Sequence, residues 1–142
     1  MNSLSPLERQ LCDLQGRLLQ KSIEKGYNSK KFIEQFMKSE TAYRLDDTYD
    51  RLQWAGEEYI LEELKDEVKL LTDNKQYSLD VMYWIGYTYR FWHYYKKEKS
   101  KNIYKIADAK RMAECYLAFH TMDVKMAIDN LYEIYNQHKN VK

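Results

Sequence analysis

Apolar residues recur along this chain at three- to five-residue steps. No stretch alternates at every second position for long enough to make a strand, so the pattern predicts helices throughout. The first helix opens on Ser5, Pro6 and Glu8: an N-cap, a proline at the first helical position and a capping-box glutamate. Leu7, Leu11, Leu14, Leu18 and Ile23 follow, and Gly26 marks the stop. A short second helix starts near Ser29, shows Phe32, Ile33, Phe36 and Met37 on its apolar face, and ends around Ser39. Residues 39–47 carry no clear period; a helical turn with Tyr43 and Leu45 tucked inward is one reading. A third helix is expected from Asp47 or Thr48 to about Leu71, with Tyr49, Trp54, Ile60, Leu61, Leu64, Val68 and Leu71 on one broad arc. Glu58, Glu62, Lys65 and Lys69 fall on the opposite, wet arc, whereas Glu57, Glu63 and Glu67 fall inside or at the edge of the apolar one.

A polar loop at residues 72–77 leads to Ser78, which caps a fourth helix over about residues 78–97, with Asp80 favouring its first turn through the helix dipole. Residues 83–95 of that helix, YWIGYTYRFWHYY, hold eight aromatic side chains. Rings at that density are either buried or presented to a partner, because fully exposed they would compromise solubility. KKEKSKN then reads as a charged, flexible link, and Ile103, Tyr104 and Ile106 as a short helical piece. Asp108 caps a fifth helix to about His120, and Asp123 caps a sixth with Val124, Ala127, Ile128, Leu131 and Tyr135 on one stripe. The tail from about residue 136 to 142 is expected to fray. The fold class is therefore all-α: one domain over residues 1–142, a compact bundle of five to six helices around the aromatic-rich fourth.

Composition supports this picture. Only 4 glycines and 1 proline leave few tight turns and few sheet corners. A net charge of +1 removes any global electrostatic argument for nucleic acid, membrane or an acidic partner. Cys12 and Cys115 have no metal-ligand spacing and read as small core residues in a reducing compartment. The first residues, MNSLSPLERQ, lack the basic and apolar segments of a signal peptide, and no apolar run approaches a membrane span. The expectation is a soluble, cytoplasmic protein.

Around a wheel of 100° per residue, the fourth helix sorts into three arcs. Val81, Trp84, Ile85, Phe91, Trp92 and Tyr95 cover about half the circumference and are assigned to the core. Tyr83, Tyr87 and Tyr94 share one flank, and Gly86, Arg90, His93 and Lys97 form a narrow stripe along a single face. These seven residues are the candidate binding surface, for a partner or an anion. Glycine admits close approach, arginine offers a fork, histidine a switchable donor and lysine a point charge. The bland reading is that the stripe is the only wet face of a core helix. A variant of it pairs the third and fourth helices as an antiparallel hairpin, bringing Glu57 and Glu63 to Arg90 and His93.

Catalytic chemistry is sparse. Four scattered glycines build no phosphate loop, and there is no HExxH, zinc-type cysteine pair or nucleophile elbow. Glu58 and Glu62 have the spacing of carboxylate metal sites but lack the accompanying Glu-x-x-His. Arg90 and His93 enclose two residues, which is shorter than the R-x4-6-H pattern of helical ribonucleases. No catalytic residue, metal or cofactor is assigned.

The segments DRLQWAGEEYILEELKDEV, YSLDVMYWIGYTYRFWHYY and YKIADAKRMAECYLAFHTMD resemble a group of small uncharacterised bacterial helical proteins over most of residues 46–130. The resemblance implies a setting beside toxin–antitoxin-type operons, some with an ADP-ribosyltransferase-like toxin, and carries no catalytic motif. It favours a non-catalytic intracellular protein-binding module, antitoxin-like or accessory to a toxin, whose partner is a protein or a second copy of the chain. One alternative is a small-molecule or nucleotide-binding protein, or an enzyme, that grips an anion with Arg90 and His93 in a pocket lined by Tyr83, Tyr87 and Tyr94. Another is weak nucleic-acid binding through Lys96, Lys97, Lys99 and Lys101.

Overall fold

The Ser5 capping box forms: its side chain accepts from the Glu8 amide while the Glu8 carboxylate accepts from the Ser5 amide. In the computed structural model, which describes residues 3–140, helix α1 runs Pro6–Glu24 from this cap. It closes in a Schellman motif, the Tyr27 amide donating to the Ser22 carbonyl and the Gly26 amide to that of Ile23. Gly26 sits at φ 78°, the left-handed conformation that this motif requires and that costs a glycine little. Helix α2 (Ser29–Met37) is capped by Asn28, and α3 (Glu40–Asp46) by Ser39. The ambiguous stretch is thus a true helix, with Leu45 buried as expected and Tyr43 exposed.

The third helix of the sequence reading is broken. Its first part is a 3-10 turn, Arg51–Trp54, started by the Asp50 side chain accepting from the Leu52 amide. Ala55 and Gly56 are extended, and helix α4 covers only Glu57–Glu67. Tyr49, Trp54 and Leu71, placed on the apolar arc, are exposed, because the break and the early end take them out of register with Ile60, Leu61 and Leu64. The oddly placed glutamates have definite partners. Glu57 pairs with Arg17, Glu63 with Arg44, and the Glu67 carboxylate accepts from the amides of Glu40 and Thr41 at the start of α3. Residues 68–78 then run back beside the end of α1, with the Asn28 amide on the Leu71 carbonyl and the Asp73 amide on that of Gly26.

Helix α5, Leu79–Lys96, is capped by Ser78. Lys97 closes it in a left-handed conformation. The expected flexible link is partly helical: α6 (Ser100–Ile106) begins within it. Helix α7 (Ala109–Phe119) starts at the Asp108 cap, and α8 covers Val124–Asn140. The tail expected to fray is helical as far as Asn140, with His138 Nδ1 donating to the Ile134 carbonyl, while residues 141–142 lie outside the described residues. Eight α-helices, rather than five or six, therefore make up the described chain, which is all-helical. None of them is long and apolar enough to cross a membrane.

Helix α5 lies along α1 and also meets α6, α7 and α8, whereas α4 packs on α1 and α3. The expected hairpin between α4 and α5 does not form. What permits the α1–α5 pairing is small residues: a Cβ on Gly86 would lie 2.5 Å from the Gln15 carbonyl oxygen and 2.9 Å from Gly16 Cα. The side of α5 read as wet is therefore the side pressed against α1. On the side read as core, Ile85 and Trp92 are fully buried, while Val81, Trp84, Phe91 and Tyr95 are partly buried against the core.

Candidate functional site

Arg90 is buried, at 2% exposure, and each face of its guanidinium is occupied. Nε donates to Gln15 Oε1 at 2.8 Å, one terminal nitrogen to Asp46 Oδ1 at 2.7 Å, and the other reaches Ser100 Oγ at 3.4 Å. Asp46, from the end of α3, also accepts from the Ser100 amide and hydroxyl, both at 2.8 Å. One carboxylate thus holds one buried arginine and the first turn of α6, and a glutamine of α1 completes the ring. Such a cluster is tolerated in a core because every charge is paired and nearly every donor has an acceptor. The carboxylate is Asp46, not the Glu57 or Glu63 expected from the hairpin.

His93 sits at the edge of this cluster, Nδ1 against the Glu98 carbonyl at 2.5 Å and 3.6 Å from Asp46 Oδ1. A carbonyl only accepts, so Nδ1 carries the proton. Burial, then the nearby Arg90 charge, hold the imidazole below its ordinary value of 6.5, against an opposing pull from Asp46. The unfolded histidine takes up a proton as pH falls through about 6.5 while the folded one resists, so this group removes stability on the acid side. Wild-type unfolding free energy should therefore fall between about pH 7 and pH 5 more steeply than that of His93→Gln, by at most about 1.4 kcal/mol per pH unit. Parallel pH profiles in urea titrations would refute this.

The seven candidate residues do not form one surface. Gly86, Arg90 and His93 line the buried seam between α1, α3 and α6, so the stripe is not a wet face: Gly86 touches the α1 backbone and Arg90 is neutralised by Asp46. Lys97 is exposed at the end of α5. Tyr94 is half-buried against His93, and its hydroxyl has no hydrogen-bond partner among the described residues; burial pushes it up to about 12. Tyr83 and Tyr87 face a different way, into a cleft with Trp84, Tyr116 and His120. The Tyr83 hydroxyl donates to Asp13 Oδ1 at 2.5 Å, which lowers the Asp13 carboxyl below its usual range. The cleft that holds Tyr83 and Tyr87 is lined by neither Arg90, His93 nor Tyr94, so these five do not share one pocket as expected. Among the described residues, no three His, Cys, Asp or Glu side chains gather as a metal ion would require. Of the link lysines, Lys96 pairs with Asp129 and Lys99 lies over the Tyr43 ring.

The most exposed aromatic surface is elsewhere, on the 3-10 turn. Trp54 is 75% exposed, between Tyr49 at 92% and Tyr59 at 57%. The backbone beneath is tied down. Leu52 and Gln53 are buried, Gln53 Nε2 donates to the Asp47 carbonyl at 2.6 Å, and Asp50 joins the Leu52 amide to Arg44, which reaches on to Glu63. Trp54 and Ala55 form the common wall of two grooves. One, of about 670 Å³, is lined by Arg44, Arg51, Leu52 and Tyr59; the other, of about 550 Å³, by Arg9, Leu14, Arg17 and Gln53. The sequence reading missed this platform, because its only signal, Trp54 after Asp50 and before Gly56, fits a helix as well as a turn. It missed Gln15, Asp46 and Ser100 because nothing local to those residues marks them as partners of Arg90.

Comparison with family models, with curated proteins and with solved structures finds no match to this chain.

Proposed function

We propose that the protein is a non-catalytic binding module that docks a protein partner on the Trp54 platform, in the manner of an antitoxin or an accessory protein to a toxin. The observation that carries this reading is a tryptophan 75% exposed on a braced turn between two grooves. Tryptophan, tyrosine and arginine dominate the energetics of protein interfaces, and all three stand together here. The braced backbone means that little order remains to be imposed on docking, which lowers the entropic cost of association. The toxin-neutralising part rests on the resemblance of residues 46–130; the burial of Arg90 against Asp46 and Gln15 counts against the alternative in which it grips an anion from solvent.

Trp54→Ala should leave the thermal midpoint close to that of wild type, because the side chain packs against little. It should weaken binding to the product of the neighbouring toxin gene by roughly 30-fold or more, the loss typical of an interface hot spot. Calorimetric titration of that product measures it. Unchanged affinity would move the interface elsewhere, and undiminished toxicity on co-expression would discard the antitoxin role. A dimer of this chain that dissociates on Trp54→Ala would identify a second copy as the occupant.

A further inference from the structure

We propose that the cleft between α5 and α7 is a binding site for a small soluble quaternary ammonium compound, a role independent of protein docking on Trp54. Four aromatic residues line it: Tyr83, Trp84 and Tyr87 from α5 and Tyr116 from α7. Trp84 and Tyr116 meet edge to face at 5.8 Å and 78°, and Tyr83 and Tyr87 lie 5.9 Å apart at 35°. The cleft of about 420 Å³ has the dimensions of a small-molecule site.

The charge pattern selects the ligand. Aromatic faces carry negative quadrupole potential and attract cations, tryptophan most strongly. Tyr83 donates its hydroxyl hydrogen to the Asp13 carboxylate, which pushes electron density back into its ring. Asp80 supplies a carboxylate at the rim, and no lysine or arginine lines the cleft. Elsewhere the protein covers its rings with its own lysines, over Tyr43, Tyr95, Tyr104, Tyr132 and Tyr135. Among the described residues none does so over these four rings.

Hydrogen bonding admits a quaternary ammonium without requiring one. A primary ammonium brings three donors and a guanidinium five, and each needs an acceptor when it leaves water. The cleft's side-chain acceptors include the Asp80 carboxylate at the rim, the Gln20 oxygen, whose amide nitrogen donates to the Leu79 carbonyl, and the Tyr87 hydroxyl. His120 Nδ1 spends its proton on the Tyr116 carbonyl at 2.7 Å, and its ring stacks on Tyr116 at 4.2 Å, so it braces that ring and offers a single lone pair on Nε2. The Tyr83 hydroxyl is already engaged. A methylated cation carries no N–H and asks only for rings and a counter-charge.

The test is titration of the full chain with choline and with 3,3-dimethyl-1-butanol, its neutral carbon isostere, following the Trp84 indole N–H signal by NMR. Choline should shift that signal and bind about tenfold more tightly than the isostere. Asp80→Asn, an exposed change that leaves the rings in place, should weaken choline several-fold, and Trp54→Ala should leave it unchanged. Equal binding of the isostere, indifference to Asp80→Asn, or no shift of the Trp84 signal would each overturn the proposal. So would binding to phosphatidylcholine vesicles without binding of free choline.

Discussion

Asp46→Ala is expected to lower the unfolding free energy by about 3–5 kcal/mol, the largest loss of any single polar substitution in this chain. The change strands the Arg90 guanidinium, 2% exposed, without its only carboxylate at hydrogen-bonding distance. It also removes the acceptor of the Ser100 amide and hydroxyl at the first turn of α6. Removing one member of a buried ion pair costs more than the pair contributes, since an unpaired charge remains in the core. The double variant Asp46→Leu with Arg90→Met should therefore be more stable than Asp46→Ala alone. Urea unfolding of Asp46→Leu, Arg90→Met and the pair together gives the coupling. A single-variant loss below about 1 kcal/mol would mean that water replaces the carboxylate and that the cluster is less sealed than its exposure indicates.

Gly86→Ala should cost about 3 kcal/mol or more by forcing α1 and α5 apart. Against it stands a gain of about 1 kcal/mol from helix propensity, so the net sign is set by the clash. The clash is with backbone: the new methyl would lie 2.5 Å from the Gln15 carbonyl oxygen and 2.9 Å from both its carbon and Gly16 Cα. No rotamer relieves that. Separation of the helices would also stretch the bond from Gln15 Nε2 to the Gly86 carbonyl, now 3.0 Å, and with it the Gln15 contact to Arg90. Gly16→Ala meets the Tyr83 ring at 2.6 Å and the Tyr83 carbonyl oxygen only at 3.0 Å, so its clash is mainly with a side chain and should cost less. Gly56→Ala has open space, but Gly56 is the N-cap of α4, where alanine is the poorer residue, so the cap loss offsets the entropic gain and the change should be near neutral. Thermal melts that rank the three otherwise would contradict the packing of α1 on α5.

Helix starts were legible wherever a cap is written in adjacent residues. Ser5 with Glu8, Ser78 and Asp108 each lie beside the amides they serve, and the helices they open begin where the sequence places them. The stretch from Asp46 to Gly56 was not, because what breaks it is the Asp50 side chain turning on the Leu52 amide and the burial of Leu52, and neither changes the apolar spacing. On α5 the grouping of Gly86, Arg90 and His93 into one stripe was legible, but its direction was inverted. Hydropathy assigns arginine and glycine to the wet side by their own chemistry. Their burial is decided by Asp46 and Gln15, 44 and 75 residues away, which no local window contains. The aromatic cleft was half-visible for the same reason: Tyr83 and Tyr87 were grouped, while Tyr116 and His120 reach them only through the packing of α7.

The pairing of α1 with α5 also sets a timetable for synthesis. Gln15 and Gly86 are 71 residues apart, so the first helix leaves the ribosome without its main partner and waits roughly 4–14 s at ordinary elongation rates before α5 is complete. During that interval Leu11, Leu18 and Leu19 are uncovered on a helix that still lacks the packing from which most of its stability comes. The contact across 71 residues then carries the loop-closure entropy that slows folding. Removal of the first helix would leave the rest with an open apolar groove along α5, and a chain stalled before residue 86 would be prey for chaperones and proteases.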